Sequence, residues 1–196
     1  MDDEEVIKLL DYQIRNSYGN VFWTHKIHEK DADRYNHYDS RLKVAQIILS
    51  AVSTTGLISV LLGISNSNAS SPCWIIYLAT VISTIVSATL LVINSLQKGY
   101  SFSVLAAQHA DAALKLLNLR EDYLSLLYDI KGNLVDVANI KARRDDLQKR
   151  TVEVYESAPR TTAKGYEKAE ESIKSGEHFY TKESLNQILP PELKEE

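Results

Sequence analysis

Val44–Gln97 reads VAQIILSAVSTTGLISVLLGISNSNASSPCWIIYLATVISTIVSATLLVINSLQ, and it contains no Asp, Glu, Lys, Arg or His. The stretch divides into two apolar blocks, 44–64 and 73–96, around the polar run Ser65–Ser71 with Pro72 behind it, which has turn composition. At 1.5 Å of rise per residue each block makes roughly 30–36 Å of helix, enough to cross a hydrocarbon core of about 30 Å. The pattern predicts a transmembrane helical hairpin. A soluble pair of helices would need a polar face on each, or far more partner surface than a chain of 196 residues supplies.

Orientation follows from the flanking charges. Arg41 and Lys43 abut the first block, with Lys26, Lys30 and Arg34 further upstream, Lys98 abuts the second, and the connecting loop has no basic residue. Both termini are therefore expected in the cytoplasm. Trp74 and Tyr77 sit where the second helix meets the outer interface, and Tyr100 where it leaves the inner one. The 22 basic and 26 acidic residues are spread over both flanks, so no basic footprint for nucleic acid emerges and direct nucleic-acid binding is not expected. A single cysteine, Cys73, excludes an intrachain disulfide. The apolar block begins too deep for a cleaved signal peptide, so the anchor belongs to the mature protein.

Ahead of the hairpin, four carboxylates (Asp2, Asp3, Glu4, Glu5) favour a helix N-terminus, and Ile7, Leu10, Ile14 and Tyr18 mark one helical face. Gly19-Asn20 is the expected C-cap and turn. From Val21 the chain is expected to run as helix straight into the first span. His25, His28 and His37 invite a metal reading, but one i,i+3 histidine pair falls short of the three or four ligands a zinc site needs; no metal or cofactor is expected. After the hairpin, Phe102, Leu105, His109, Ala112, Leu116, Leu119, Tyr123, Leu126 and Ile130 repeat at spacings of 3 and 4, a coiled-coil seam whose partner is either the same chain or another subunit. Gly132-Asn133 marks a turn, and Leu134, Val137, Ile140, Leu147 and Val154 space a further helix ended by Pro159. Its basic cluster, Lys141, Arg143, Arg144, Lys149 and Arg150, is interleaved with Asp145 and Asp146 and reads as a solvated face with local ion pairs. One short helix is expected around Glu167–Lys174 and a last one from Thr181 to Leu189, before Pro190-Pro191 and an LKEE tail. The fold class is all-α. The expected divisions are N-terminal helices (1–43), hairpin (44–97), helical hairpin (98–158) and short helices with a tail (159–196).

No Gly-rich phosphate loop, nucleophile elbow or Cys/His spacing is present, so an enzyme is not expected. Function should lie in the hairpin and in what the other helices bind. In the hairpin the small and polar residues gather on stripes: Gln46, Ser50, Ser53, Gly56 and Gly63 on the first helix, Thr80, Ser83, Thr84, Ser87 and Asn94 on the second. Small residues four apart let helices approach closely. The stripes act either as glue between helices or as the lining of a weakly polar conduit in an oligomer.

The segments DADRYNHYDSRLK (31–43), the hairpin, and YSFSVLAAQHADAALKLLNLREDYLSLL (100–127) together resemble the SLATT family of bacterial two-transmembrane proteins from antiviral conflict systems. The run YESAPRTTAKGYEKAEE (155–171) is similar to the SLATT subgroup encoded beside reverse transcriptases. The resemblance spans roughly residues 20–175 and has no catalytic motif. It implies a homo-oligomeric effector of the bacterial inner membrane. Such an effector permeabilises the bilayer when triggered by a partner, a reverse transcriptase or a nucleotide-signal synthase. The alternative is a membrane-anchored helical scaffold that recruits a cytoplasmic partner and has no pore activity.

Overall fold

The computed structural model describes residues 2–65 and 73–176 and the positions 181, 183, 184, 187 and 190, with side chains for these except at 57, 59–65, 73, 75 and 76. Among the described residues the extended helices are, in order, α1 (Asp3–Ser65), α2 (Cys73–Gly99), α3 (Phe102–Lys131), α4 (Val137–Ser157) and α5 (Ala163–Lys174). Among the described residues there is no strand. The expected loop Ser65–Ser71 with Pro72 lies outside the described residues apart from Ser65, which ends α1. Gly63 and Cys73, as side chains, lie outside them too, as does most of the helix expected over Thr181–Leu189. Of that helix, Thr181 Oγ1 accepts the Ser184 backbone N–H at 3.3 Å, as an N-cap does.

The chain forms two compact units, a hairpin unit (Arg34–Ala106) and a four-helix unit (Met1–Asp33 with Ala107–Glu196). The division differs from the four segments expected from the sequence, because α1 and α3 each contribute to both units. One expectation is corrected outright: Gly19-Asn20 does not end a helix, and α1 runs through it unbroken. A glycine costs a helix interior about 1 kcal/mol relative to alanine. The helix faces on either side, with Ile14 and Val21 both fully buried, outweigh that cost.

The four-helix unit is built on the α3 seam. Ala112, Leu116, Leu119, Tyr123, Leu126 and Ile130 are buried, and Leu116, Leu119, Tyr123, Leu126 and Ile130 share one core with Leu10, Ile14 and Val21 of α1 and Ile140, Leu147 and Val154 of α4. The partner of this stretch of the heptad is thus the same chain, and in this state Leu116, Leu119, Tyr123 and Leu126 are closed to a second subunit. Tyr123 Oη meets Thr151 Oγ1 at 3.3 Å, which satisfies the hydroxyl inside the core.

Helix ends follow local chemistry. After α3, Asn133 takes a left-handed φ of 52°, while Leu134 N–H reaches Asp129 O and Asn133 N–H reaches Ile130 O. That is a Schellman closure with Asn in the position glycine usually fills. Leu134, expected as the first face residue of α4, is instead an exposed loop residue, and the helix starts at Val137 behind an Asp136 N-cap that accepts from Asn139 N–H at 2.7 Å. α4 stops at Ser157, where Ala158 is extended ahead of Pro159. α5 begins four residues earlier than expected, capped by Thr162. The three arginines of α4 are in ion pairs: Arg143 with Asp129, Arg144 with Asp145, and Arg150 with Asp122.

Candidate functional site in the hairpin and the buried polar cluster

In the hairpin unit the apolar residues face outward. Ile47 is 70% exposed and Leu91 68%, with Ile48, Ile58, Ile82, Ile85 and Val92 similarly open. Among the described residues one stretch, within Tyr77–Lys131, is long and apolar enough to cross a membrane, and only 6% of its apolar window is buried. A helix pair that turns its apolar side chains outward fits lipid as its solvent.

The two helices turn part of each polar stripe toward the other. Gln46 Nε2 donates to Asn94 Oδ1 across the pair, and Ser53 Oγ meets Ser87 Oγ at 3.0 Å. Ser53 and Ser83 are buried, at 8% and 9% exposed. Gly56 lies where a Cβ would overlap the Ser83 hydroxyl, so a larger residue would make that hydroxyl rotate away. Ser50, Thr80 and Asn94 remain on exposed surface, Gln46 and Ser87 are half-buried, and Gly56 sits at the contact. Threonines that face outward satisfy themselves: Thr54 bonds to Ser50 O, Thr55 to Ala51 O, Thr84 to Thr80 O and Thr89 to Ile85 O. The unit also includes an aromatic collar, in which Phe102 is ringed by Tyr35, Tyr38 and Tyr100 at centroid distances of 6.1, 5.9 and 6.4 Å. Phe102 and Leu105, the first two seam positions, are half-buried in this unit.

The four-helix unit contains a second polar cluster that sequence reasoning did not assemble. Asp31 is 0% exposed, and both of its oxygens bond to Thr162: Oδ2 accepts the backbone N–H at 2.9 Å and Oδ1 accepts the hydroxyl at 2.5 Å. The same hydroxyl accepts Gly165 N–H at 3.0 Å, so Thr162 caps α5 while α5 is clasped to α1. Gly165 is required here, since a Cβ would lie 2.5 Å from the Asp31 carboxyl. Trp23 stacks on Tyr166 at 5.5 Å beside the clasp. One turn before Asp31, His28 Nδ1 faces His109 Nδ1 of α3 at 2.9 Å, with the rings 2% and 1% exposed. Burial, and then the neighbouring His109, hold His28 down to about 4, against the opposing pull of Asp31. His25 and Lys26 are buried alongside, with Lys26 paired to Glu29 at 2.6 Å.

Among the described residues no three His, Cys, Asp or Glu side chains come together as metal ligands. The sequence placed His109 on the seam but could not name its partner, and it read His25 and His28 only as a weak metal pair. Thr162 followed by AKGYEKAEE is a cap signal that could have been found; its bond to Asp31, 131 positions away, could not.

Against that geometry, a family model matches residues 10–184. The chain belongs to the SMODS and SLOG-associating 2TM effector domain family 4 (SLATT_4). The match covers both helices of the hairpin and the four-helix unit from Leu10 through Ser184. It gives the chain a two-transmembrane effector domain and agrees with the outward-facing apolar helices as a membrane element. No curated protein and no solved structure matches the chain significantly.

Proposed function

We propose that this SLATT_4 chain is a membrane effector of a bacterial antiviral defence system, which oligomerises and permeabilises the inner membrane when a partner triggers it. The observation that carries the reading is the hairpin seam. Amides and hydroxyls that would be costly in lipid are paired with each other inside one hairpin, Gln46 to Asn94 and Ser53 to Ser87. A closed seam of this kind is a resting state. In an assembly the same groups can exchange their bonds within the hairpin for bonds between copies, or for water in a conduit. The termini face the cytoplasm, where a partner reaches the four-helix unit. The similarity of residues 155–171 to the reverse-transcriptase-linked subgroup makes a reverse transcriptase one candidate partner, and a nucleotide-signal synthase is the other.

One observation favours a second reading, a membrane-anchored scaffold without pore activity: the polar stripe is already consumed as helix-to-helix glue. Replacing the hairpin by a Leu/Val hairpin of equal length separates the two. In cells expressing the chain with its neighbouring genes, a voltage-sensitive dye should report depolarisation for the wild type and none for the replacement. Equal responses from both would establish the scaffold.

A further inference from the structure

We propose that His28 and His109 form a proton-operated latch, in which the neutral pair closes α3 onto α1 within the four-helix unit and proton loading opens that contact.

The geometry sets the rule. Two Nδ1 atoms at 2.9 Å can share one proton, with one ring donating Nδ1–H and the other, in its Nε2–H tautomer, accepting. A first added proton goes to the bare Nε2 of the donor ring; the bond survives, but a cation now sits in the interior. A second added proton must go to the acceptor Nδ1, which removes the lone pair, breaks the bond and sets two cations face to face. The pair therefore titrates as a unit. Histidine is the side chain whose charge changes in the range that a cell's interior can reach.

The surroundings resist the charge. On α1, the pair has His25 three residues before His28, the buried Lys26 with its partner Glu29, and Asp31 three residues after. Among the described residues Asp31 is the one carboxylate buried as deeply as the pair, and both of its oxygens are engaged by Thr162. α3 adds His109 and, further along, the buried Tyr123, whose phenol burial pushes above its ordinary range and keeps neutral here. α4 buries Ile140, Leu147, Thr151 and Val154, and α5 buries Gly165, Ala169 and Ser172, none of which ionises between pH 4 and 8. The depressed affinity of His28 for protons agrees with this setting.

The physiological proton source rests on the proposed function. Permeabilising an energised inner membrane admits protons, so the first open assemblies would acidify the cytoplasm and unlatch further copies, a feed-forward step. The latch itself is independent of conductance and is tested without it.

The full chain, purified in detergent and labelled with ¹⁵N-histidine, is titrated from pH 8 to 4.5 by NMR while hydrogen exchange over Ala107–Leu119 is followed with correction for intrinsic rates. The latch predicts two rings that stay neutral below pH 6 and share an Nδ1 proton. It also predicts that protection over Ala107–Leu119 falls at least ~tenfold between pH 7 and 5, the change one pH unit of differential proton binding produces. A His28→Leu/His109→Leu chain should lose the pH step. If that variant fails to fold, the wild-type ring titration decides alone. Rings that titrate independently near 6.5, or protection that stays flat to pH 5, overturn the latch. Pore activity being absent would leave these readouts unchanged, so the two readings fail separately.

Discussion

Asp31→Ala tests how the four-helix unit holds its last helix. The carboxylate is fully buried and accepts two hydrogen bonds from Thr162, at 2.9 and 2.5 Å. Hydrogen bonds to a charged group contribute about 1.5–3 kcal/mol each. Their loss leaves the Thr162 N–H near the cavity without its acceptor, while relief of the buried charge offsets part of the cost. The balance is about 3–5 kcal/mol. α5 has 12 residues, too few to hold as an isolated helix, so the loss should appear as undocking. At 1.4 kcal/mol per factor of ten, α5 opening should rise by about two to three and a half powers of ten. Hydrogen exchange over Ala163–Lys174, with limited proteolysis at Lys164 and Lys168, measures it. Asp31→Asn keeps one acceptor and the volume, so it should fall between wild type and alanine. Exchange over α5 unchanged within a factor of about three in Asp31→Ala would refute the clasp.

The His28 environment fixes a pH dependence. Its affinity for protons is held down to about 4 in the folded chain against 6.5 ordinarily, so the unfolded chain binds more protons between those values. Stability should be full above pH ~6.5 and fall by up to about 3 kcal/mol as pH drops toward 4; a denaturation midpoint indifferent to pH between 7.5 and 5 would contradict this. Leu116→Asp puts a carboxylate at a position with no exposed surface, and it should cost several kcal/mol and unfold the four-helix unit. Crosslinked oligomers should then disappear only together with the near-native circular dichroism of that unit. A cysteine-accessibility scan should label position 67 from outside and position 101 from inside; labelling of both from one side would refute the hairpin topology.

What was legible in the sequence follows from the physics of each signal. A charge-free stretch long enough to span is a local pattern, and the α3 heptad is a local period, so the two membrane blocks and the buried positions Leu116 to Ile130 could be read directly. Continuity of α1 through Gly19 could not, because the burial of Ile14 and Val21 that overrides glycine's propensity is a tertiary fact. In the hairpin the stripes were readable as faces, and the short connection brings Gln46 and Asn94 to one depth. Which hydroxyl meets which, as Ser53 meets Ser87, depends on helix rotation. The polar cluster was the least legible. His28 and Asp31 share a face of α1 by spacing, but their partners His109 and Thr162 lie 81 and 131 positions away.

On the proposed mechanism, the hairpin seam is closed at rest and must open for the effector to act. Ser53→Cys/Ser87→Cys in a Cys73→Ser background puts two thiols where the hydroxyls now meet at 3.0 Å, within reach of a disulfide that staples the resting pair. Membrane potential is followed by dye in cells expressing this chain with its neighbouring genes, under oxidising and then reducing conditions. Depolarisation should be absent while the staple is closed and reach the wild-type level once it is reduced. Full depolarisation with the disulfide intact would contradict it.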